Sequence, residues 1–475
     1  MRDNRLLCYT SAVMKNSKSI ASRLSAVCLG LAASLYAQTA PAPSATAAPP
    51  AAPPFVNDIC LPSALYMLAD TPNDVFVQPF LKRWRPYNDF VRFGMKDKNA
   101  FSRRLSHVAT VRHPTDGAVL NVDLVNGDEF KTVKHLAPVL RVGRKGVGEK
   151  DVYAQIIGDS LTHGRFFQAA LLDSGYVPKL HLVGLLKFAD GQYNEGRGGW
   201  SLATYFSVPS RPGRSYHGFM QPEGARYWGN RAFWKMAWRC VRKTQPKGFE
   251  PSYSCARFDS CVTRFDEQTG VLLNPAEGDV QFDEDEKSFV RYDGTAWRAV
   301  SAQSLKWRFD YGKYLQMWNI PPPQFLFVSL GVNDFRGRLN ADYSTWEQQI
   351  TTMKESYLAA CPGGKFVIAI PISTCGSIDN AAGDFTPLQN AAMWNFRNWL
   401  IQTFDKREKD GFYLLDGGIA TDNDHGFNLA KGSATVPFEG YNGEENLRVQ
   451  TGNPHPYPNY VTMGLPFAAF IQYHR

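Results

Sequence analysis

One stretch constrains the fold more than any other: Tyr153-Ala-Gln-Ile-Ile-Gly-Asp-Ser-Leu-Thr-His-Gly164. The apolar run Val152 to Ile157 predicts a buried strand, Gly158 allows a tight turn, and the residues from Gly164 onward predict a helix. Strand, turn and helix in that order lift Ser160 off the end of the strand. The following backbone N–H groups then point into the same space, at a helix N-terminus. A serine held this way can serve as a nucleophile when a base is near. Taken alone, it can equally be a serine that caps a helix. The rest of the chain has to decide.

Later segments repeat the strand–helix alternation. Leu180 to Leu186, Phe325 to Leu330, Phe366 to Ile370 and Phe412 to Leu415 read as strands. Ser344–Ala360, Pro387–Asp405 and a closing apolar stretch from Met463 to Tyr473 read as helices. This alternation predicts a mostly parallel sheet covered on both faces, an α/β domain over residues 149–475. Before it, residues 55–148 carry short β-like pieces separated by Pro, Gly, Asn and Asp: Leu65–Leu68, Val75–Val77, Val108–Val111, Val119–Leu124 and His135–Val142. They predict a small β-sandwich of immunoglobulin-like type, with no catalytic cluster of its own. Residues 205–306 fit neither pattern. They hold Trp228, Trp234, Trp238, three cysteines and the acidic run Asp283 to Glu286, and are expected to form a cap or rim over the site. The acidic run reads as solvated surface, with a calcium site as the alternative.

The first 37 residues have the pattern of an export signal: a basic segment after Met14, an apolar stretch from Leu24 to Leu35, and Ala37 or Ala40 at a cleavage point. The apolar stretch is short for a membrane span, so no integral segment is expected once the signal is removed. Residues 38–54 are an Ala/Pro-rich linker. Export, secreted or periplasmic, makes disulfides plausible chemistry among Cys60, Cys240, Cys255, Cys261, Cys361 and Cys375. Cys240 with Cys255 or Cys261 is the expected bridge. Cys361 and Cys375 flank one strand and would stand about 20 Å apart at about 3.3 Å per residue. No Cys-x-x-Cys or His-x-x-x-His spacing points to a metal site. A net charge of +8 with no long basic run argues against nucleic acid as a partner.

In an open α/β sheet, ligands bind beyond the carboxyl ends of the strands. Four segments there supply what acyl transfer needs. Ser160 offers a hydroxyl nucleophile. Its own N–H, the N–H of Gly199 in the Gly-rich loop Glu195–Ser201, and the Asn333 amide can donate to an oxyanion, and a late histidine can act as base. Taken in order, Gly158-Asp-Ser-Leu161, Gly199, Gly331-Val-Asn-Asp334 and His455 resemble the four sequence blocks of the GDSL/SGNH hydrolase superfamily. The resemblance runs from about Val152 to the C-terminus, apart from the insert. It implies a flavodoxin-like three-layer α/β/α fold and ester hydrolysis without a cofactor. By the same resemblance Ser160 is nucleophile and first oxyanion donor, Gly199 and Asn333 are the other donors, and His455 is the base.

The chain departs from that family at one place. Where the family carries Asp three positions before its histidine, this sequence has Gly452. The literal Asp-x-x-His spacing occurs instead at Asp422–His425. Either His455 is a base oriented by some other group, or Asp422 and His425 complete the site. The sequence reading takes His455, because the Pro-rich turn and closing helix follow it. His163, Arg165 and Trp200 lie near the nucleophile or the glycine loop and are candidates for substrate contact. Asp159 and Asp334 read as hydrogen-bonded braces of their loops. The expected activity is that of a secreted esterase acting on an acylated carbohydrate, most simply a polysaccharide O-acetylesterase. The alternatives are a lipase, arylesterase or thioesterase on apolar acyl chains, and a non-catalytic carbohydrate-binding relative.

Overall fold

In the computed structural model, the patterned segment from Asn57 to Gly143 folds into eight strands among the described residues. The description leaves out 1–56, 84–88, 106, 145, 147, 149, 165–167, 169–170, 172–174, 188–191, 209–216, 243–260, 284, 373–386, 424–428, 432–447 and 451–460. The signal and linker readings therefore lie outside the described residues. The strands are β1 (Ala64–Leu68), β2 (Asn73–Phe76), β3 (Asp89–Gly94), β4 (Phe101–Arg104), β5 (Val108–Val111), β6 (Asn121–Asn126), β7 (Lys131–Leu136) and β8 (Val139–Gly143). They form two antiparallel sheets, β2–β5–β4 and β3–β6–β7, and a parallel pair, β1–β8. The sequence piece His135–Val142 divides into β7 and β8 around Pro138, which has no N–H to give to a ladder.

Strand β1 alternates between two cores. Leu65 and Met67 point into the core of the N-terminal strands, while Tyr66 and Leu68 join the core under the central sheet. That period-two split follows from strand geometry. Val56–Arg475 packs as one compact unit.

The central sheet gathers β9 (Val152–Gly158), β10 (Leu180–Val183), β11 (Leu186–Lys187) and β12 (Tyr193–Gly196) with three later strands. Between them the insert contributes β13 (Met220–Pro222), β14 (Trp228–Asn230), β15 (Val280–Asp283), β16 (Ser288–Tyr292) and β17 (Trp297–Val300), and β18 (Trp307–Phe309) follows directly after it. The later three are β19 (Phe325–Ser329), β20 (Lys365–Ala369) and β21 (Phe412–Leu415). The order is β11-β12-β9-β19-β20-β21; β11 pairs antiparallel with β12, and every other neighbouring pair is parallel. One edge of β9 is shared: β10 pairs with its first half and β12 with its end. The fold is thus mixed α/β with several sheets, rich in β structure.

Alternate residues of each central strand serve opposite faces. Ile156, Phe325 and Phe327 face the terminal helix Leu465–His474, whose Phe467, Phe470 and Ile471 are fully or almost fully buried. Each such burial contributes roughly 1.5–3 kcal/mol. Ile157, Leu326 and Val328 face helices Tyr311–Trp318, Ser344–Ala360 and Pro387–Phe404. No helix of the described residues is long and apolar enough to cross a membrane.

The insert builds its own four-stranded sheet, β14–β17. Its Trp228 and Trp234 are completely buried in the core shared with the central sheet. The acidic run also differs from a solvated surface at its first residue. Asp283 is buried, pairs with Arg231, and accepts from the Asp285 N–H at 3.1 Å. Among the described residues no group of three or more His, Cys, Asp or Glu is placed to hold a metal ion. Cys60 and Cys361 are buried free thiols. Burial pushes Cys60 up to about 12 and Cys361 up to about 11. Cys255, Cys375 and the side chain of Cys240 lie outside the described residues.

Candidate functional site

The register of three strands builds the site. Gly158, the last residue of β9, stands opposite Gly196 at the end of β12 on one side and Ser329 at the end of β19 on the other. Three parallel strands therefore stop level with one another. The segments that leave them carry Ser160, Gly198-Gly199 and Asn333 from a single edge of the sheet.

Ser160 begins a single helical turn, Ser160–His163, and is partly exposed. The helix starts earlier than the sequence suggested because Asp159 caps it, accepting the Leu161 N–H at 2.9 Å. Gly158 is required by contact: a Cβ there would lie 2.0 Å from Thr162 Oγ1 and 3.0 Å from the Ser329 carbonyl. The turn can press against β19 only with a hydrogen at that position.

The second segment leaves β12. Residues Tyr193–Gly196, part of which read from sequence as a glycine-rich loop, are strand, and the loop proper starts at Arg197. Arg197 N–H donates to the Gly158 carbonyl at 2.9 Å, and Trp200 N–H donates back to the Arg197 carbonyl at 3.1 Å. The turn between them requires Gly199 at φ +78°. A Cβ on Gly198 would stand 3.9 Å from Ser160 Cβ, which places this loop directly against the serine.

The third segment leaves β19. Asn333 Nδ2 donates to the Trp200 carbonyl at 3.0 Å, and Asp334 Oδ1 accepts the Leu202 N–H at 3.0 Å. Asp159 and Asp334 thus brace their loops, as the sequence reading has it. Burial pushes Asp159 up to about 7, and the nearby Asp334 carboxylate adds to the rise. Burial likewise raises Asp334 to about 6, and its Oδ2 is buried with no hydrogen-bond partner.

His163 is exposed, and its Nδ1 stands 3.2 Å from the Gly196 carbonyl. Donation from Nδ1 would leave Nε2 as the ring's acceptor. Trp200 is less open than a stacking wall. Arg197 lies over its ring at 4.9 Å, Tyr205 and His217 meet it edge-on at 4.8 and 5.5 Å, and the ring packs partly into the main core. His217 itself is buried, accepts from Phe219 N–H at 3.2 Å and pairs with the Ser207 carbonyl at 3.1 Å. Burial, with the Arg197 charge, lowers it to about 3, so it stays neutral. Asp422 follows β21, a strand that stands three positions from β9, about 14 Å along the sheet. Arg165, His425 and His455 lie outside the described residues.

Sequence reasoning passed over the buried polar network behind the loop. Glu195 is fully buried and pairs with Arg197 at 2.8 Å. Its other oxygen takes the Leu185 N–H at 2.6 Å and the Tyr314 hydroxyl. Tyr314 in turn receives Gln155 Nε2 at 3.0 Å. Gln155, a polar residue in the middle of the strand Val152–Gly158, was the one signal of such a network in the sequence.

No protein-family profile and no curated protein matches the chain. Among solved structures, one crystal structure aligns over 68% of this chain and 96% of its own, with 10% identity and a TM-score of 0.27. Another is that of XAC1771, a carbohydrate acetylesterase from Xanthomonas citri. It aligns over 87% of this chain and 74% of its own, with 11% identity and a TM-score of 0.24.

Proposed function

We propose that this chain is an exported serine ester hydrolase of SGNH type. The observation that carries the reading is the level ending of β12, β9 and β19, which brings Ser160, the Gly198-Gly199 turn and Asn333 to one edge. Numbered in chain order, with β10 and β12 sharing one position, the strands run 2-1-3-4-5, the order of flavodoxin-like sheets. Helices cover both faces, in keeping with a three-layer α/β/α domain. In this reading the strands of 64–143 are the small immunoglobulin-like β unit before it.

In the proposed reaction, Ser160 Oγ attacks the ester carbonyl carbon while His455 takes the hydroxyl proton. The oxyanion that forms receives the N–H groups of Ser160 and Gly199 and the free N–H of the Asn333 amide. Collapse breaks the ester C–O bond, the alcohol leaves with the proton, and water then hydrolyses the acyl-serine by the same path. Each donor of this kind is worth about a hundredfold or more in rate. The chemistry calls for no cofactor.

For the substrate we favour an O-acylated carbohydrate. The export-type leader supports a polymer met outside the cytoplasm. The test compares p-nitrophenyl acetate with the octanoate ester, alongside acetate release from acetylated polysaccharides. Preference for acetate, lost in Ser160→Ala, supports the reading. Preference for octanoate moves the substrate to apolar acyl esters, and a silent wild type that binds glycan removes the catalytic claim.

A further inference from the structure

We propose that Tyr205 is the positioning residue that sets the spacing between the nucleophile turn and the glycine loop, an inference that rests on the esterase reading above. Tyr205 is completely buried, and its hydroxyl reaches two main-chain carbonyls. It stands 2.8 Å from the Gly158 oxygen and 2.5 Å from the Glu195 oxygen. Gly158 ends β9 two residues before Ser160, and Glu195 lies in β12 four residues before Gly199. One phenol proton, shared between these oxygens, therefore ties the two strands where they diverge into the site.

Four further contacts make this hydroxyl the common reference for all the proposed oxyanion donors. Gly158 oxygen also receives the Arg197 N–H, so the first residue of the glycine loop is pinned to the same atom. The Tyr205 ring meets Trp200 edge-on at 4.8 Å, and the Trp200 carbonyl is the acceptor that holds the Asn333 amide. Behind the loop, the buried Glu195–Arg197 pair keeps the β12 end from relaxing toward solvent. Ser160, Gly199 and Asn333 are each one short chain of contacts away from Tyr205. No substrate atom needs to touch it.

Without the hydroxyl, the Glu195 carbonyl loses this partner, and the two strand ends are free to shift by a fraction of an ångström. Donors aimed at a developing oxyanion are sensitive to such shifts, and misplacement by about 1 Å can cost about a hundredfold in rate. Ground-state binding of the ester depends on them far less.

The experiment uses the full chain with Tyr205→Phe and, as a control, Tyr357→Phe, which removes a buried hydroxyl that donates to the Pro323 carbonyl at 3.1 Å, before the start of β19. Rates on p-nitrophenyl acetate are expressed per active site by burst titration, so that unfolded protein does not enter kcat. Inhibition by an alkyl boronic acid, which forms a tetrahedral serine adduct, is measured alongside. The expected result for Tyr205→Phe is a kcat lower by about 10- to 100-fold, a KM within about twofold, and a boronate Ki raised by the same factor as kcat falls. Tyr357→Phe should lower thermal stability while keeping kcat within about threefold. An active wild type whose kcat and boronate affinity survive Tyr205→Phe overturns the positioning role and leaves the esterase reading standing. A wild type without Ser160-dependent turnover overturns both.

Discussion

Asn333 Nδ2 donates to the main-chain carbonyl of Trp200 at 3.0 Å, so the segment after β19 holds the segment after β12 in place. A primary amide has two N–H groups, and in the proposed site the second donates to the substrate. Asn333→Ala should therefore remove one oxyanion donor and loosen the Trp200 turn together. The expected loss in kcat is about a hundredfold or more with a modest change in KM, measured on p-nitrophenyl acetate. An unchanged kcat would remove Asn333 from the site.

Two glycines of the site should answer differently to the same added methyl group. Gly158→Ala drives a Cβ to 2.0 Å from Thr162 Oγ1 and 3.0 Å from the Ser329 carbonyl, and should destabilise the fold by about 1–3 kcal/mol. Gly199 has nothing within 4 Å of its Cβ position but holds φ +78°. Gly199→Ala should cost only about 1–2 kcal/mol of strain while turning the N–H away and lowering kcat. Denaturant midpoints and kcat, measured on both variants, separate the two effects.

The buried carboxyls at the site set a pH dependence of stability. Asp159 and Asp334 titrate at about 7 and about 6 in the fold because burial disfavours their charged forms, against about 3.9 in an unfolded chain. The folded state therefore binds more protons across that window. Their contribution is fully present below about pH 4 and is lost as the pH rises through 6 and 7. Asp334→Asn keeps an acceptor for the Leu202 N–H and removes the titration. Its stability should fall less steeply between pH 4 and 7 than that of the wild type, as read from urea midpoints. Equal slopes would contradict the assignment.

The two late histidines separate cleanly by substitution. His455→Ala should abolish turnover, and His425→Ala should keep most of it. The reverse outcome would move the base to the Asp422–His425 pair.

The strand runs were legible because a central parallel strand is apolar on both faces. Phe325–Ser329 and Phe412–Leu415 emerge within a residue or so of their sequence limits. The turn at Gly158 was legible for the same reason, since a glycine between an apolar run and a helix has few other uses. Long-range pairing was not legible. Strands β3 and β4 are short and half polar, Asp89-Phe-Val-Arg-Phe-Gly and Phe101-Ser-Arg-Arg, and only their cross-strand partners make them strands. The positions of the insert's tryptophans were not legible either, and only the packed core shows Trp228 and Trp234 inside it. Tyr205 had no local signature at all. Its role depends on two carbonyls brought together by the register of β9 and β12, a relation between residues that sequence spacing does not encode.

The most direct test of the account is covalent. A fluorophosphonate incubated with the folded protein should give one adduct per chain, and peptide mass spectrometry should place it on Ser160. The adduct should disappear in Ser160→Ala, together with ester turnover. A folded wild type that takes no label, or one labelled elsewhere whose turnover survives Ser160→Ala, would contradict the claim that this serine is the nucleophile.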